Sequence, residues 1–400
     1  MQEVRVCEAV RMKAQRPPLP VTAVTIPPAA QRRETRKKKV TAMPLPPISP
    51  PLLAWYDQNR RSLPWRDIPT PYGVWVSEIM LQQTRVAAVL PYYLRWMEAL
   101  PTVEALADAD GETLMKLWQG LGYYSRARNL QKAARVIVEE RSGRFPDTYE
   151  ALLTLPGVGD YTAGAVASIA FNRPVPAVDG NALRVAARLT GIGENILEPR
   201  VRSQFRTLIA EVLPHDRPGA FNQAVMDLGA MVCLPGGAPL CGQCPLEDLC
   251  QACRLGLQAS LPVRRKKAGR RVEELTVFVL LRDGKTALRQ RADQGLLAGL
   301  WEFPHVPGAL DEAAAGGVLA DWGLTPMDWK KKIAAKHLFT HVEWRMTGYL
   351  LTVRGEGPAL TWADRGDLDR LTVPSAFGKL LAEALEELDP PRQHDITDIT

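Results

Sequence analysis

The sequence predicts a multidomain protein in which an all-α domain is followed by a smaller α+β domain. Two observations predict the first domain. Residues 149–170 have the pattern of a short helix, a tight glycine turn and a second helix, and apolar residues at helical spacing begin at Leu52. One observation predicts the second domain: Leu275 to Leu281 is apolar except for Thr276, a pattern typical of a buried strand. A chain of 400 residues is long enough for both.

Charge is unevenly distributed along the chain. The net charge is +6 overall, but it is +7 in residues 1–49, +5 in 50–271 and −6 in 272–400. A nucleic acid would therefore be attracted to the tail and the first domain. No apolar run approaches the roughly 18 residues of a membrane helix, and no apolar secretion segment follows the first basic residues. We expect an intracellular protein with no membrane contact.

Residues 1–50 predict a disordered basic tail. They are rich in proline and contain the run Arg36-Lys37-Lys38-Lys39, a composition that cannot bury a core. Two interpretations stay open. The tail strengthens DNA contact by its charge, or the chain has an over-long start and translation begins at Met43.

The all-α domain is predicted over residues 51–258. Leu63 to Arg66 predicts a loop that brings the Trp65 ring and the Arg66 guanidinium together, as a DNA contact would require. Tyr72 to Tyr93 predicts one long apolar helix. Gln83 and Thr84 would lie on that helix, where polar uncharged side chains can bond to a base edge.

Glu78 is a candidate general acid within this helix. Its neighbours in the sequence are apolar, and a carboxyl in apolar surroundings has a raised pKa and can hold a proton near neutrality. The alternative is a glutamate on the solvated face of an amphipathic helix. Solvated faces usually carry more charge than this segment does.

Residues 117–129 interleave aromatic side chains with arginines. Rings can wedge between bases while arginines hold phosphates, so Leu121 and Tyr123 are candidate DNA contacts. Aromatic residues in such a segment are also common in protein cores.

The glycine turn of the first domain predicts a phosphate site. Gly157 and Gly159 let the backbone take positive φ and approach a partner, and the N–H groups of the next helix point outward at the positive end of its dipole. The alternative is an ordinary corner between two helices. Asp179 stands alone before a helix that begins near Asn181, as either a functional carboxylate or a helix N-cap.

The cysteines predict a metal site in a reducing compartment. Apart from Cys7, they lie in one loop, residues 233–253, and four of them have the spacing Cys-x7-Cys-x2-Cys-x5-Cys. Four thiolates fit either tetrahedral zinc or an iron–sulfur cluster, and the spacing does not decide between them. The four candidate ligands are Cys233, Cys241, Cys244 and Cys250, with Cys253 as a fifth thiol.

A basic linker, residues 259–271, precedes the second domain, which is predicted over 272–389. Residues 287–291 and 345–353 predict further strands, and Ala376 to Leu388 predicts a closing helix. Residues 390–400 form a polar tail without a recognisable motif.

Several segments together resemble the adenine DNA glycosylases of the MutY type, in the endonuclease III superfamily of helix-hairpin-helix enzymes. The resemblance covers about residues 52–350 and rests on Trp65-Arg66, Ser77 to Thr84, Gly120 to Tyr124, the Leu155 hairpin, Val178 to Asn181 and Phe221 to Gly229. It implies removal of adenine from double-stranded DNA opposite 8-oxoguanine or guanine, by a monomer.

Cleavage of an N-glycosidic bond needs one group that protonates the leaving base and another that carries negative charge beside the sugar cation. Glu78 suits the first role and Asp179 the second. The resemblance implies the same roles, with proton transfer to adenine N7, and it implies that Tyr161 and Gln223 lie in the adenine pocket. Related enzymes that also nick DNA have a lysine where this chain has Tyr161, so we expect a monofunctional enzyme.

The resemblance also implies a cofactor and a reader domain. The family holds a 4Fe–4S cluster with Cys-x6-Cys-x2-Cys-x5-Cys, one residue shorter than here. Leu296 to Pro304 resembles a Nudix segment, but no Arg-Glu-x-x-Glu-Glu cluster follows it, so a domain kept for recognition is expected. Phe339-Thr340-His341 matches the loop that contacts 8-oxoguanine, with Thr340 in place of serine, and Tyr123 matches the wedge at the lesion.

Two other functions stay open at this point. One is a glycosylase for another mispaired base, such as thymine opposite guanine. The other is a non-catalytic DNA-binding or redox-sensing protein.

Overall fold

The computed structural model describes residues 44–389 except 237, 266–268 and 356. Residues 1–43 and 390–400 lie outside the described residues. They include Cys7, the basic run, most of the predicted basic tail and all of the predicted polar tail. Within the described part no helix is long and apolar enough to cross a bilayer.

The first domain is built from helices. They are α1 (Ser49–Asn59), α2 (Pro64–Asp67), α3 (Pro71–Met80), α4 (Val86–Ala99), α5 (Val103–Asp108), α6 (Gly111–Trp118), α7 (Ser125–Arg141), α8 (Tyr149–Leu153), α9 (Asp160–Phe171), α10 (Gly180–Thr190), α11 (Pro199–Glu211), α12 (Pro218–Met231) and α13 (Gln251–Leu255).

These helices enclose two large apolar cores, and a small cluster of Ala165, Ala177 and Met226 lies between α9 and α12. The first is formed mainly by α3 to α9 and contains Trp75, Trp96 and Trp118. The second is formed mainly by α1, α10, α11 and α12 and contains Phe205 and Phe221. The candidate site lies where these two groups of helices meet.

The folded domain begins before residue 51, the predicted boundary. Leu45 and Ile48 are buried in the second core, and the Ser49 hydroxyl donates to the carbonyl of Val212. The prediction of a tail through residue 50 was therefore wrong for residues 45–50. These two apolar side chains are enough to fix a proline-rich segment against the helices, because burial of one such side chain contributes about 1.5–3 kcal/mol.

The predicted long helix over residues 72–93 is interrupted. It consists of α3 and α4, and Gln83, with φ +61°, lies in the turn between them together with Thr84. The Arg126 side chain causes the break, since it donates to the carbonyls of Ile79, Met80 and Gln82 that a continuing helix would use.

Residues 64–67, predicted as part of a loop, form the short helix α2. Pro64 occupies its first turn, where the missing N–H of proline has no cost.

The second domain contains a mixed sheet with helices on its two faces. Its strands are β1 (Arg271–Arg282), β2 (Lys285–Gln290), β3 (Trp301–Glu302), β4 (His305–Pro307), β5 (Thr325–Leu338), β6 (Val342–Arg354) and β7 (Thr361–Ala363), and its helices are α14 (Glu312–Asp321), α15 (Arg365–Arg370) and α16 (Gly378–Leu388). The order β3-β2-β1-β6-β5 places the parallel pair β1 and β6 at the centre. The strands and closing helix predicted from the sequence are confirmed, within a few residues at their ends.

One loop of the second domain packs into the first. Leu300 is buried in the first helical core, and the Arg128 guanidinium donates to the Ala298 carbonyl at 2.6 Å. Gln119 also donates to the Val373 carbonyl at 3.1 Å. These contacts fix the second domain beside residues 117–128, the segment that carries Tyr123.

Candidate active site and nucleic-acid interface

A cavity of about 480 Å³ lies between the two helical cores. It brings together residues that are far apart in the sequence: Trp65, Arg66, Glu78, Thr84, Tyr161, Asp179 and Gln223. All of them were predicted as catalytic or base-binding residues. The lining also includes Arg61, Asn181 and Met226, which the sequence did not single out.

Glu78 faces this cavity from α3 and is 4% exposed. Burial raises the pKa of its carboxyl to about 7, and the charge of Asp179 adds to this effect while Arg66 opposes it. The Tyr161 hydroxyl donates to Oε2 of Glu78 at 2.5 Å. The carboxyl can therefore hold a proton near neutral pH, and Tyr161 fixes its orientation.

Tyr161 lies in the first turn of α9 and points its hydroxyl into the same cavity. Burial raises the pKa of this phenol well above its ordinary value, and the neighbouring Glu78 and Asp179 raise it further. The hydroxyl thus keeps its proton at any pH of interest. It is a hydrogen-bond donor rather than a base.

Asp179 is both the N-cap of α10 and a wall of the cavity. Its Oδ1 accepts from the Ala182 N–H at 2.7 Å, and its Oδ2 accepts from the Asn181 amide at 2.7 Å. Burial raises the pKa of Asp179, although these hydrogen bonds oppose the shift. Asp179 is therefore a helix N-cap and can also be a functional carboxylate, because the capping bonds fix its side chain in the cavity that it shares with Glu78.

A hydrogen-bonded chain links Asp179 to the cysteine loop. Beyond Asn181, the Arg184 guanidinium donates to the Asn181 side-chain oxygen at 2.8 Å and to the Cys233 carbonyl at 2.9 Å. It also donates to the Gly229 carbonyl at 2.7 Å. Sequence reasoning missed this connection, since its members lie on three different elements.

Asp227 forms a buried ion pair beside the cavity. Its side chain is fully buried and accepts from Arg66 at 2.7 and 3.0 Å and from Arg61 at 2.8 Å. Burial alone would raise the pKa of Asp227, but the bonds from Arg66 and Arg61 hold it below its ordinary value. Arg66 is therefore engaged within the protein, where the sequence predicted a DNA contact.

An open groove of about 960 Å³ continues from the cavity. Tyr161 and Asp179 border both, and the groove also passes the hairpin glycines, Gln83 and the arginines Arg202, Arg206 and Arg264. Backbone amides and guanidinium groups along one groove are suited to the phosphates of a nucleic acid.

The two hairpin glycines have different roles. Gly157 has φ +76°, and a Cβ there would lie 2.6 Å from Cβ of Asn129, so the fold requires glycine. Gly159 has an extended backbone with φ −103°, and a Cβ there would meet nothing within 4 Å. The prediction of positive φ at both positions is therefore wrong for Gly159, whose open surface faces the groove.

Tyr123 connects the first domain with the second. It has φ +47°, its side chain is 47% exposed, and its hydroxyl is hydrogen-bonded to the Thr340 hydroxyl at 2.8 Å. Leu121, two residues earlier, is buried in the first core. Trp65 is likewise buried and packs edge-on against Tyr93, with one side on the cavity.

The four predicted cysteine ligands lie close to one another and are partly buried. Burial raises the pKa of Cys244 to about 12, and the neighbouring Cys233, Cys250 and Cys241 raise it further. The Arg188 guanidinium donates to Cys233 Sγ at 3.2 Å. Among the described residues, no three His, Cys, Asp or Glu side chains converge closely enough to bind a single metal ion.

The fifth thiol, Cys253, donates to Oε1 of Glu247 at 3.7 Å. It extends from α13, beside the four predicted ligands.

Comparisons with known proteins agree with this architecture. Residues 76–211 match the HhH-GPD superfamily of base excision DNA repair proteins, and residues 276–383 match the NUDIX domain. An adenine DNA glycosylase of Rattus norvegicus is 40% identical over 370 residues, which cover 78% of this chain and 71% of the rat protein. One of Homo sapiens is 39% identical over 395 residues, which cover 82% of this chain and 72% of the human protein.

A solved structure of a thermostable thymine-DNA glycosylase has a TM-score of 0.47 and 30% identity, and the match covers 51% of this chain and 94% of that one. The matches with the rat and human proteins cover about four fifths of this chain. The chain therefore belongs to the adenine DNA glycosylases, the base-excision repair enzymes that remove adenine from DNA.

Proposed function

We propose that this enzyme removes adenine opposite 8-oxoguanine or guanine in double-stranded DNA by hydrolysing the N-glycosidic bond. One observation carries the proposal: a carboxyl with a pKa of about 7, Glu78, shares a cavity with a second carboxyl, Asp179. The target adenine must leave the base stack to reach them.

Glu78 is proposed as the general acid. In its protonated form it transfers a proton to N7 of the flipped adenine, so that the base leaves as a neutral molecule when the bond to C1′ breaks. The Tyr161 hydroxyl bonded to Oε2 stabilises the carboxylate that remains. This carboxylate then takes the proton of the water that adds to C1′, which restores the acid.

Asp179 is proposed to face the sugar. Loss of the base leaves positive charge at C1′, and a carboxylate beside it either stabilises the cation or bonds to it for a short time. The Ala182 N–H and the Asn181 amide hold one oxygen each, so the group is oriented before the reaction begins.

The enzyme is proposed to be monofunctional. Strand nicking by these enzymes needs an amine that attacks C1′, and among the described residues that line the cavity none is a lysine. We expect little covalent trapping with borohydride on DNA from which adenine is released. Efficient trapping would contradict this part of the proposal.

The second domain is proposed to read 8-oxoguanine. The exposed hydroxyls of Tyr123, from the first domain, and Thr340, from the second, lie 2.8 Å apart. Tyr123 as the wedge and Thr340 as the lesion contact could therefore act on the same nucleotide. Thr340 keeps the hydroxyl of the serine that it replaces. Pyrophosphate hydrolysis is not proposed, since Asp311 and Glu312 form an N-cap and a first helical turn instead of a metal-binding cluster.

Cys233, Cys241, Cys244 and Cys250 are proposed to hold a 4Fe–4S cluster. Their proximity, partial burial and Arg188 contact support a metal centre held by four thiolates. The resemblance to the adenine DNA glycosylases favours a 4Fe–4S cluster over a single zinc ion. The cluster would brace the loop against DNA. Iron and acid-labile sulfide in the purified protein, lost in Cys244→Ser, would support it, and bound zinc instead would contradict it.

The decisive experiment is base release under single-turnover conditions from duplexes with A opposite 8-oxoguanine, A opposite G, A opposite T, and T opposite G. We expect the fastest release of adenine opposite 8-oxoguanine and no release of thymine. Glu78→Gln and Asp179→Asn should abolish release while the protein still binds the duplex as a monomer. Release of thymine would favour the alternative glycosylase, and full activity of both variants would contradict the mechanism.

A further inference from the structure

We propose that Arg126 is a positioning residue that couples the lesion-side loop, residues 119–124, to the helix that carries Glu78. This inference rests on the proposed preference for 8-oxoguanine. Arg126 lies in the first helical turn of α7 and is 8% exposed. It is not among the residues that line the cavity or the groove described above, although it bonds to Gln82, which lines the groove.

One side of the Arg126 guanidinium holds the lesion-side loop. Its Nη2 donates to the Leu121 carbonyl at 3.0 Å and to the Gly122 carbonyl at 3.1 Å. These carbonyls directly precede Tyr123, the proposed wedge. The guanidinium also lies 5.7 Å from the centre of the Tyr123 ring.

The other side holds the end of α3. Nη1 donates to the carbonyls of Ile79, Met80 and Gln82 at 2.7, 2.9 and 2.8 Å. The last carbonyls of a helix have no partner within it, and a positive charge there is favourable to the helix dipole. Glu78 directly precedes the first of them, so the position of its carboxyl depends on where this helix end is held.

Arg126 has no carboxylate partner among the described residues. Burial lowers the pKa of Arg126 to about 10. A buried charge without a carboxylate counterion is costly, and here the backbone carbonyls that it bonds to offset that cost. All five hydrogen bonds go to backbone carbonyls of two functional segments, which suits a residue that fixes these segments relative to each other.

The lesion-side loop is expected to change its conformation when DNA binds. The Tyr123 hydroxyl is bonded to Thr340 at 2.8 Å, and the backbone has positive φ at Gly122 and Tyr123. If the Tyr123 ring enters the duplex, its hydroxyl must release the hydrogen bond to Thr340. The accompanying displacement of residues 121–123 changes the hydrogen bonds that Arg126 Nη2 donates to this loop. Because the guanidinium is planar and rigid, its Nη1 contacts change with it. Recognition of the lesion thereby adjusts the end of α3.

Three variants test the inference: Arg126→Lys, Arg126→Met, and Arg135→Met as a matched control. Arg135 lies on the same helix and donates to one backbone carbonyl, that of Ala107, at 3.1 Å. Ala107 belongs to neither functional segment. Lysine keeps the charge but cannot span two sets of carbonyls. Circular dichroism and the affinity for an uncleavable duplex show whether each variant is folded.

Two rates are measured for each protein, the single-turnover release of adenine opposite 8-oxoguanine and opposite G, over a range of pH. We expect the ratio of the two rates to fall by about tenfold in both Arg126 variants, a coupling of ordinary size between two sites. We also expect the midpoint of the pH profile to move below about 7, because a loosened helix end lets water reach Glu78. Arg135→Met should change neither quantity.

An unchanged ratio and an unchanged midpoint in a folded Arg126 variant would overturn the inference. Equal slowing on both duplexes with an unchanged midpoint would also overturn it, because that result describes a purely structural residue. If the wild-type protein itself does not distinguish 8-oxoguanine from G, the proposed specificity fails. The pH midpoint on the A opposite G duplex then decides separately whether Arg126 positions Glu78.

Discussion

Glu78 makes the stability of this protein depend on pH in a direction opposite to that of most carboxylates. Its pKa is about 7 in the folded protein and near its ordinary value of 4.5 in the unfolded chain. Between these values the folded state keeps a proton that the unfolded state has released. The free energy of unfolding therefore falls as pH rises through this window, by roughly 3 kcal/mol in total.

The first prediction concerns Glu78→Gln. Glutamine is neutral at every pH and can still accept from Tyr161, so the variant should be more stable than the wild type at pH 8 and about equally stable at pH 4. Urea unfolding at both pH values measures this. Glu150→Gln, at an exposed position on α8, is the control, and the same pH dependence in wild type and Glu78→Gln would refute the explanation.

At the residue scale, the sequence singled out the two carboxylates, Tyr161 and Arg66, but not the hydrogen bonds that these residues make. The apolar neighbours of Glu78 are adjacent in the chain, so burial could be inferred locally. The bond from Tyr161 and the Arg61 and Arg66 pair with Asp227 connect positions 83, 166 and 161 residues apart. Local patterns contain no information about such partners.

At the scale of elements, the two glycines of the hairpin between α8 and α9 have different roles, one in folding and one in binding. Gly157 has a left-handed backbone and a tight neighbour, whereas Gly159 is extended and open. The same substitution at these two positions should therefore have different effects.

The second prediction compares Gly157→Ala with Gly159→Ala. The first should lower the free energy of unfolding by at least about 1–2 kcal/mol, because alanine is strained at positive φ. The second should leave stability unchanged and weaken binding to an uncleavable duplex, because its methyl group enters the space of a bound phosphate. Thermal unfolding and DNA titration distinguish them. Equal loss of stability in both variants would contradict the assignment of roles.

The helices and strands themselves were largely predictable from the sequence, but the positions at which some helices end were not. The hairpin, the central strand of the second domain and the closing helix follow from turn residues and apolar periodicity. The end of α3 at Met80 does not, because Arg126, 46 residues away, supplies the hydrogen bonds that stop the helix. Leu121 and Tyr123 could not be distinguished either, since burial of one and exposure of the other depend on how the loop crosses the core.

At the scale of the whole molecule, the second domain contributes apolar side chains to the core of the first, with Leu297 packed against that core and Leu300 inside it. Leu300 comes from the second domain and is buried in the core of the first. Its neighbour Leu296, in the same loop, is partly exposed.

The third prediction concerns this contact. Leu300→Ala should lower the free energy of unfolding by about 2–5 kcal/mol, the cost of a cavity in a core. It should also reduce the preference for 8-oxoguanine, since the reader loses its fixed position. Leu296→Ala should do neither. Chemical unfolding and the two single-turnover rates provide the measurements, and equal effects of both variants would refute the assigned role of Leu300.

The fourth prediction concerns charge outside the described residues. Residues 1–42 contain ten basic and three acidic residues. If the tail binds phosphates, its deletion should make the salt dependence of DNA affinity shallower, by about 0.9 in log–log slope for each phosphate that the tail neutralises. We expect this result, with the single-turnover rate at saturation unchanged. An unaltered slope would show that residues 1–42 take no part in DNA binding.

The position of the cavity between two large cores also affects how mutations combine. Substitutions placed deep in each core, far from each other and without shared partners, should change stability additively. Arg66 and Asp227 instead join residues from opposite ends of the helical domain, and a double substitution there should deviate strongly from the sum of its parts. Non-additive effects of substitutions are thus expected mainly along the boundary between the cores, where the target base is bound. Residues that pair across this boundary should be replaced together during evolution.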